Sequence, residues 1–62
     1  MKWSESIKIL RNKMLLTQTE FAEKLGVSFA SVNRWENGGY EPTMKVKREL
    51  MRLMKEYKVV EE

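Results

Sequence analysis

The tightest constraint in this chain is the three-residue interval Gly26-Val27-Ser28, which separates two short amphipathic stretches. The left-handed position that ends a helix favours glycine, and a serine just before a new apolar-periodic stretch favours a helix start. Gly26 is therefore expected to close one helix, and Ser28 to cap the next from Phe29 onward. The first helix opens on Thr17-Gln18-Thr19-Glu20. That is the pattern of a capping box: the threonine hydroxyl accepts from the Glu20 amide while the Glu20 carboxylate reaches back. Helices over 18–25 and 29–36 follow. So short a connection does not suit an antiparallel hairpin of long helices, but it suits two short helices meeting at a steep angle.

The same helical period runs along the rest of the chain. Trp3, Ile7, Leu10 and Met14 fall at i, i+4, i+7 and i+11 on one face of a first helix. Phe21, Ala22 and Leu25 give the second face, and Val32 and Trp35 the third. Val46, Leu50, Leu53, Met54 and Tyr57 give the fourth, on the longest and most basic helix. Pro42, Gly26, Gly38 and Gly39 are the only proline and glycines, and they punctuate these segments. Thr43 stands where it would cap the fourth helix, and no breaker follows it. No segment alternates with a strand period, and there is no repeat, linker or low-complexity stretch. The expectation is an all-α fold, a compact bundle of four helices forming one domain over 1–62. It has a helix-turn-helix at about 18–36 and one longer helix at about 43–57. Val59 and Val60 lie beyond the last face and have no core role in this reading, which leaves a frayed tail or a dimer contact.

Composition removes whole classes of function. The chain has no cysteine, no histidine and no aspartate. Disulfides and thiolate or imidazole metal sites are excluded, and acid–base catalysis loses its commonest residues. Isolated glutamates on helices do not make a catalytic pair, and 62 residues leave no room for a closed pocket. No enzyme activity, cofactor or small-molecule ligand is expected. No apolar run approaches the roughly 20 residues of a membrane span, and Met1-Lys2-Trp3-Ser4-Glu5 lacks the apolar core of a secretory signal. A soluble, cytoplasmic chain with no membrane partner is the simplest expectation. Twelve Lys and Arg against nine Glu leave a net charge of +3. The excess concentrates in 43–58, where Lys45, Lys47, Arg48, Arg52, Lys55 and Lys58 face only Glu49 and Glu56. Such a balance is compatible with nucleic acid and equally with a solvated helical face.

The residues around the short turn are more specific than the charge. Gln18, Phe21, Ala22, Leu25, Gly26, Val27, Ser28, Val32, Trp35 and Glu36-Asn37-Gly38 together resemble the phage-repressor and Cro type of helix-turn-helix, the xenobiotic-response-element (XRE) family of transcriptional regulators. The resemblance covers about residues 7–54. Each element also has a physical reason. Ala22 lies where the two helices cross and a larger side chain would push them apart. Val32 points back into that crossing, and Phe21, Leu25 and Trp35 are core, with Trp35 partly exposed.

The resemblance implies a lambda-repressor-like fold that binds double-stranded DNA, as a homodimer, through a recognition helix over about 29–36. Phe29, Ala30, Asn33 and Arg34 would face bases. Arg34 suits guanine O6 and N7, Asn33 suits adenine N6 and N7, and Phe29 or Ala30 suits a thymine methyl. Thr17, Gln18, Ser28, Ser31, Asn37 and Gly38 would position the domain on phosphates. Free amides at Thr17 and Gln18, at a helix N-terminus, would suit a phosphate oxygen. Arg11 and Glu36 would form a partly buried structural ion pair, with Arg11 also in reach of a phosphate. The family is mostly bacterial and phage-encoded.

Two departures bear on this reading. Family members usually carry two short helices after the recognition helix, whereas 43–57 reads as one unbroken helix, so the usual fifth helix is missing or merged and the dimer surface is left open. Gly39-Tyr40-Glu41-Pro42 replaces what is often a basic loop, and Glu41 would repel a nearby phosphate. The competing expectation is a helical protein-interaction module, antitoxin-like or scaffolding, that uses 43–57 and the tail. Replacing Arg34 by alanine separates the two.

Overall fold

The computed structural model describes residues 2–59, and over them the chain is all-α. Four helices run in the order α1 Trp3–Lys13, α2 Gln18–Leu25, α3 Phe29–Glu36 and α4 Met44–Glu56. The capping box at α2 forms in full: Thr17 Oγ1 accepts from the Glu20 amide at 3.1 Å, and Glu20 Oε1 accepts from the Thr17 amide at 2.9 Å. Ser28 Oγ accepts from the Ser31 amide at 3.1 Å and caps α3. Thr43 departs from expectation. It occupies the cap position of α4 but its side chain makes no cap bond. The third helical residue there is Val46 rather than a glutamate, so nothing reaches back to complete the box.

All four helices end in the same paired turn, the Schellman motif. In α1 the Leu16 amide bonds the Arg11 carbonyl and the Leu15 amide that of Asn12. Val27 and Gly26 repeat the pair on Ala22 and Glu23, Gly39 and Gly38 on Arg34 and Trp35, and Val59 and Lys58 on Met54 and Lys55. The motif requires one left-handed residue, and the four are Leu15, Gly26, Gly38 and Lys58, with φ of 60°, 73°, 82° and 59°. Gly26 and Gly38 adopt it without steric cost. Leu15 and Lys58 adopt it against the crowding of Cβ on the following carbonyl, about 1–2 kcal/mol each.

The core draws on every helix: Ile7 and Leu10, Phe21 and Ala22, Val32 and Trp35, then Leu50, Leu53 and Met54. Trp35 is buried rather than partly exposed, while Leu25 is half-buried at the margin. Val59 also differs from expectation, since it packs against the core. The left-handed turn at Lys58 folds it back toward Met54, the apolar contact that accompanies a Schellman motif. Val60 lies outside the described residues. α1 and α4 lie side by side and run the same way. The Lys47 ammonium sits 5.2 Å from the Trp3 ring centre at one end, and Lys13 Nζ donates to the Lys58 carbonyl at 3.2 Å at the other.

Candidate nucleic-acid interface

One buried carboxylate ties the helix pair to the rest of the molecule. Glu36, the last residue of α3, accepts from Arg11 Nε at 2.7 Å and Arg11 Nη2 at 3.1 Å, and from Gln18 Nε2 at 3.1 Å. Arg11 Nη1 donates to the Leu16 carbonyl at 3.0 Å. The end of α1, the connection to α2, the first residue of α2 and the last of α3 therefore meet at one point. The Glu36 side chain is 3% exposed and that of Arg11 17%, so the site is largely dry and its bonds are charge-assisted. Bonding to Glu36 pushes the Arg11 pKa further above its already high value, against the opposing pull of burial. Each Arg11 nitrogen donates one bond within this junction, which makes the arginine a structural clamp here.

With Val32, Trp35 and Glu36 turned inward, the opposite face of α3 is open. Ala30, Arg34 and Asn37, at i, i+4 and i+7, run along its centre, and all three are exposed. Phe29, 50% exposed at the helix start, and half-buried Asn33 lie on one flank. Half-buried Ser31 lies on the other, its hydroxyl 3.0 Å from that of Ser28. Gly38 is exposed just beyond α3. Thr17 and Gln18 stand at the start of α2 and Ser28 past its end, separated by about 12 Å of helix. Exposed Thr17 corrects one expectation: its amide is taken by Glu20, so it is not free. The capping box leaves the first-turn amides of Gln18 and Thr19 for an outside acceptor.

Two residues of the loop after α3 adjoin this face, and the sequence reading gave them no partner. Tyr40, beyond the Gly38-Gly39 turn, sits with its ring centre 5.5 Å from the Arg34 guanidinium. An aromatic residue following a glycine pair six positions after the arginine is the signal that marks it. Glu41 is bridged by Lys47 at 2.8 Å, which offsets the repulsion expected between it and a phosphate.

Two short helices joined through a glycine turn, the second offering an open polar face on a braced backbone, define a helix-turn-helix domain. A family model described as Helix-turn-helix matches residues 7–58, and the chain belongs to that family, the XRE/Cro-type helix-turn-helix regulators that bind DNA. No curated protein and no solved structure matches the chain significantly. No helix among the described residues is long and apolar enough to cross a membrane.

Proposed function

We propose that this chain reads a specific double-stranded DNA sequence as a repressor-like transcriptional regulator. α3 enters the major groove, with Phe29, Ala30, Asn33 and Arg34 toward base edges. Thr17, Gln18, Ser28, Ser31, Asn37 and Gly38 lie toward the backbone. The observation that carries this reading is the open face of α3, where Arg34, Ala30 and half-exposed Phe29 stand clear of a core that holds the opposite face. An α-helix with its side chains is about 10–12 Å across, which a major groove about 12 Å wide admits. The described residues extend 26 × 21 × 19 Å, less than the roughly 34 Å between half-sites one turn apart. One copy covers one half-site, and a homodimer reads a two-fold operator.

The second reading, a protein-interaction module on 43–57 and the tail, draws on Met44 and Met51, which are exposed on α4. An NMR amide-shift titration with a mixed-sequence duplex at about 50 and about 200 mM salt separates the two, since non-specific binding weakens steeply over that range. Salt-sensitive shifts centred on Gln18 and residues 28–38 are expected. An unchanged spectrum there refutes DNA reading, and shifts confined to 44–59 transfer the function to α4.

A further inference from the structure

We propose that Tyr40 is a positioning residue for base readout, its ring holding the Arg34 guanidinium in the orientation that meets a base edge. The inference rests on the reading that Arg34 contacts a base. Arg34 Cζ lies 5.5 Å from the Tyr40 ring centre, inside the roughly 6 Å range of a cation–π contact. The ring is not there to fill the core, because Tyr40 is 59% exposed.

The backbone accounts for the meeting. Gly38, left-handed at φ 82°, ends α3, and the Gly39 amide closes the turn onto the carbonyl of Arg34 itself. The residue that follows is thereby returned alongside the last turn of the recognition helix. A side chain with a Cβ at Gly38 would oppose that left-handed turn, so Gly38 and the tyrosine act as one unit.

The chemistry of the pair suits readout. A guanidinium can lie with its flat π-face on a ring, which leaves its N–H donors pointing outward in the plane. Arg34 can therefore remain on the ring while its in-plane donors bond guanine O6 and N7. A free arginine on an open helix face must give up rotamer freedom on binding. One already held loses less, and the gain falls on the base that needs the held geometry. Among the described residues no carboxylate pairs with Arg34, so the ring is the group that orients it.

The test is a selection from a randomised duplex library at fixed salt, followed by anisotropy titrations on the selected duplex and on a mixed-sequence duplex. It compares wild type, Tyr40→Phe, Tyr40→Leu and Arg34→Ala. Tyr40→Leu should lose about two- to fivefold of the discrimination at the base pair that Arg34→Ala also affects. Its affinity for mixed-sequence DNA and its salt slope should stay at wild-type values, a split that general loss of structure would not produce. Tyr40→Phe, which keeps the ring, should restore full discrimination. Wild-type discrimination in Tyr40→Leu, beside loss in Arg34→Ala, overturns the inference and leaves DNA reading intact. Equal loss in Tyr40→Phe overturns it as well, because the hydroxyl would then be the active group. If Arg34→Ala changes no base preference, the reading beneath the inference fails first.

Discussion

Replacing Glu36 by alanine tests the junction that holds the helix pair in place. The carboxylate accepts three hydrogen bonds, two from Arg11 and one from Gln18. Without it the guanidinium, 17% exposed, retains the Leu16 carbonyl, and the Gln18 amide loses this acceptor. Breaking a buried pair by removing one partner costs about 3–5 kcal/mol. The remaining exposure of Arg11 and its carbonyl partner place the expected loss at the lower end, about 3 kcal/mol. A chain of 62 residues has a total stability of roughly 3–9 kcal/mol, so this one change removes a large share of it. In urea, with a slope of about 1 kcal/mol/M for so small a protein, the midpoint should fall by about 3 M by far-UV circular dichroism. Glu36→Gln, which retains one acceptor oxygen, should fall between the two. Combining Arg11→Met with Glu36→Leu should recover much of the loss, since no unpaired charge then stays inside. A loss in Glu36→Ala below about 1 kcal/mol is the range of an exposed ion pair and would refute the dry, cooperative junction.

The other helix features give smaller, separable effects. Leu15→Gly should stabilise the protein by roughly 0.5 kcal/mol and raise Tm by a few degrees, because relief of left-handed strain exceeds the added entropy of glycine. The leucine is 88% exposed, so almost no burial is lost; Leu15→Ala, which keeps the strain, should show no such gain. Thr17→Ala should cost about 1 kcal/mol in a urea titration through loss of the capping box, and Thr43→Ala much less, since that hydroxyl caps nothing. Ala22→Leu should cost about 1–3 kcal/mol or prevent folding, read by thermal melts, because the site sits in the packed core and has no spare volume. Arginine's pKa is raised in the folded state at Arg11, so its stabilisation is fully present below the unfolded value and is lost only as pH rises through the higher folded one. The urea midpoint should therefore show no Arg11-driven change between about pH 6 and pH 10.

Features that depend on neighbours in sequence were legible; those that depend on distant partners were not. Thr17 and Glu20 are three residues apart, and Gly26 needs only its own backbone, so the bounds of α2 and α3 follow from local chemistry. The four-helix fold and the family follow from the same residues. Thr43 shows the limit of that logic, because the same residue type at the same cap position makes no side-chain cap bond. Leu15 shows another. Nothing in a leucine announces a left-handed turn, and only the paired bonds to Arg11 and Asn12 reveal it. Gln18 donating to Glu36 across 18 positions, and Tyr40 against Arg34, depend on how the chain returns on itself. The set proposed to face bases, Phe29, Ala30, Asn33 and Arg34, comes from the family resemblance; the structure adds that Phe29, Ala30 and Arg34 stand exposed and that Asn33 is half-buried.

The division of labour along α3 has a consequence for how such a domain can change. Val32, Trp35 and Glu36 hold the helix in the fold, and Phe29, Ala30 and Arg34 contribute little to that. On the proposed function, substitutions on the open face would alter what is read at little cost in stability, within about 0.5 kcal/mol for exposed positions. Substitutions at Glu36 would, on the same proposal, alter stability and reading together, because the same carboxylate fixes the end of α3 and the start of α2. A domain this small has no second core to absorb such a loss. Sequence preference can then drift on the open face only while the junction beneath it stays intact. Tyr40 belongs to the open side of that division, since it touches Arg34 from outside the core and can be exchanged without disturbing Glu36.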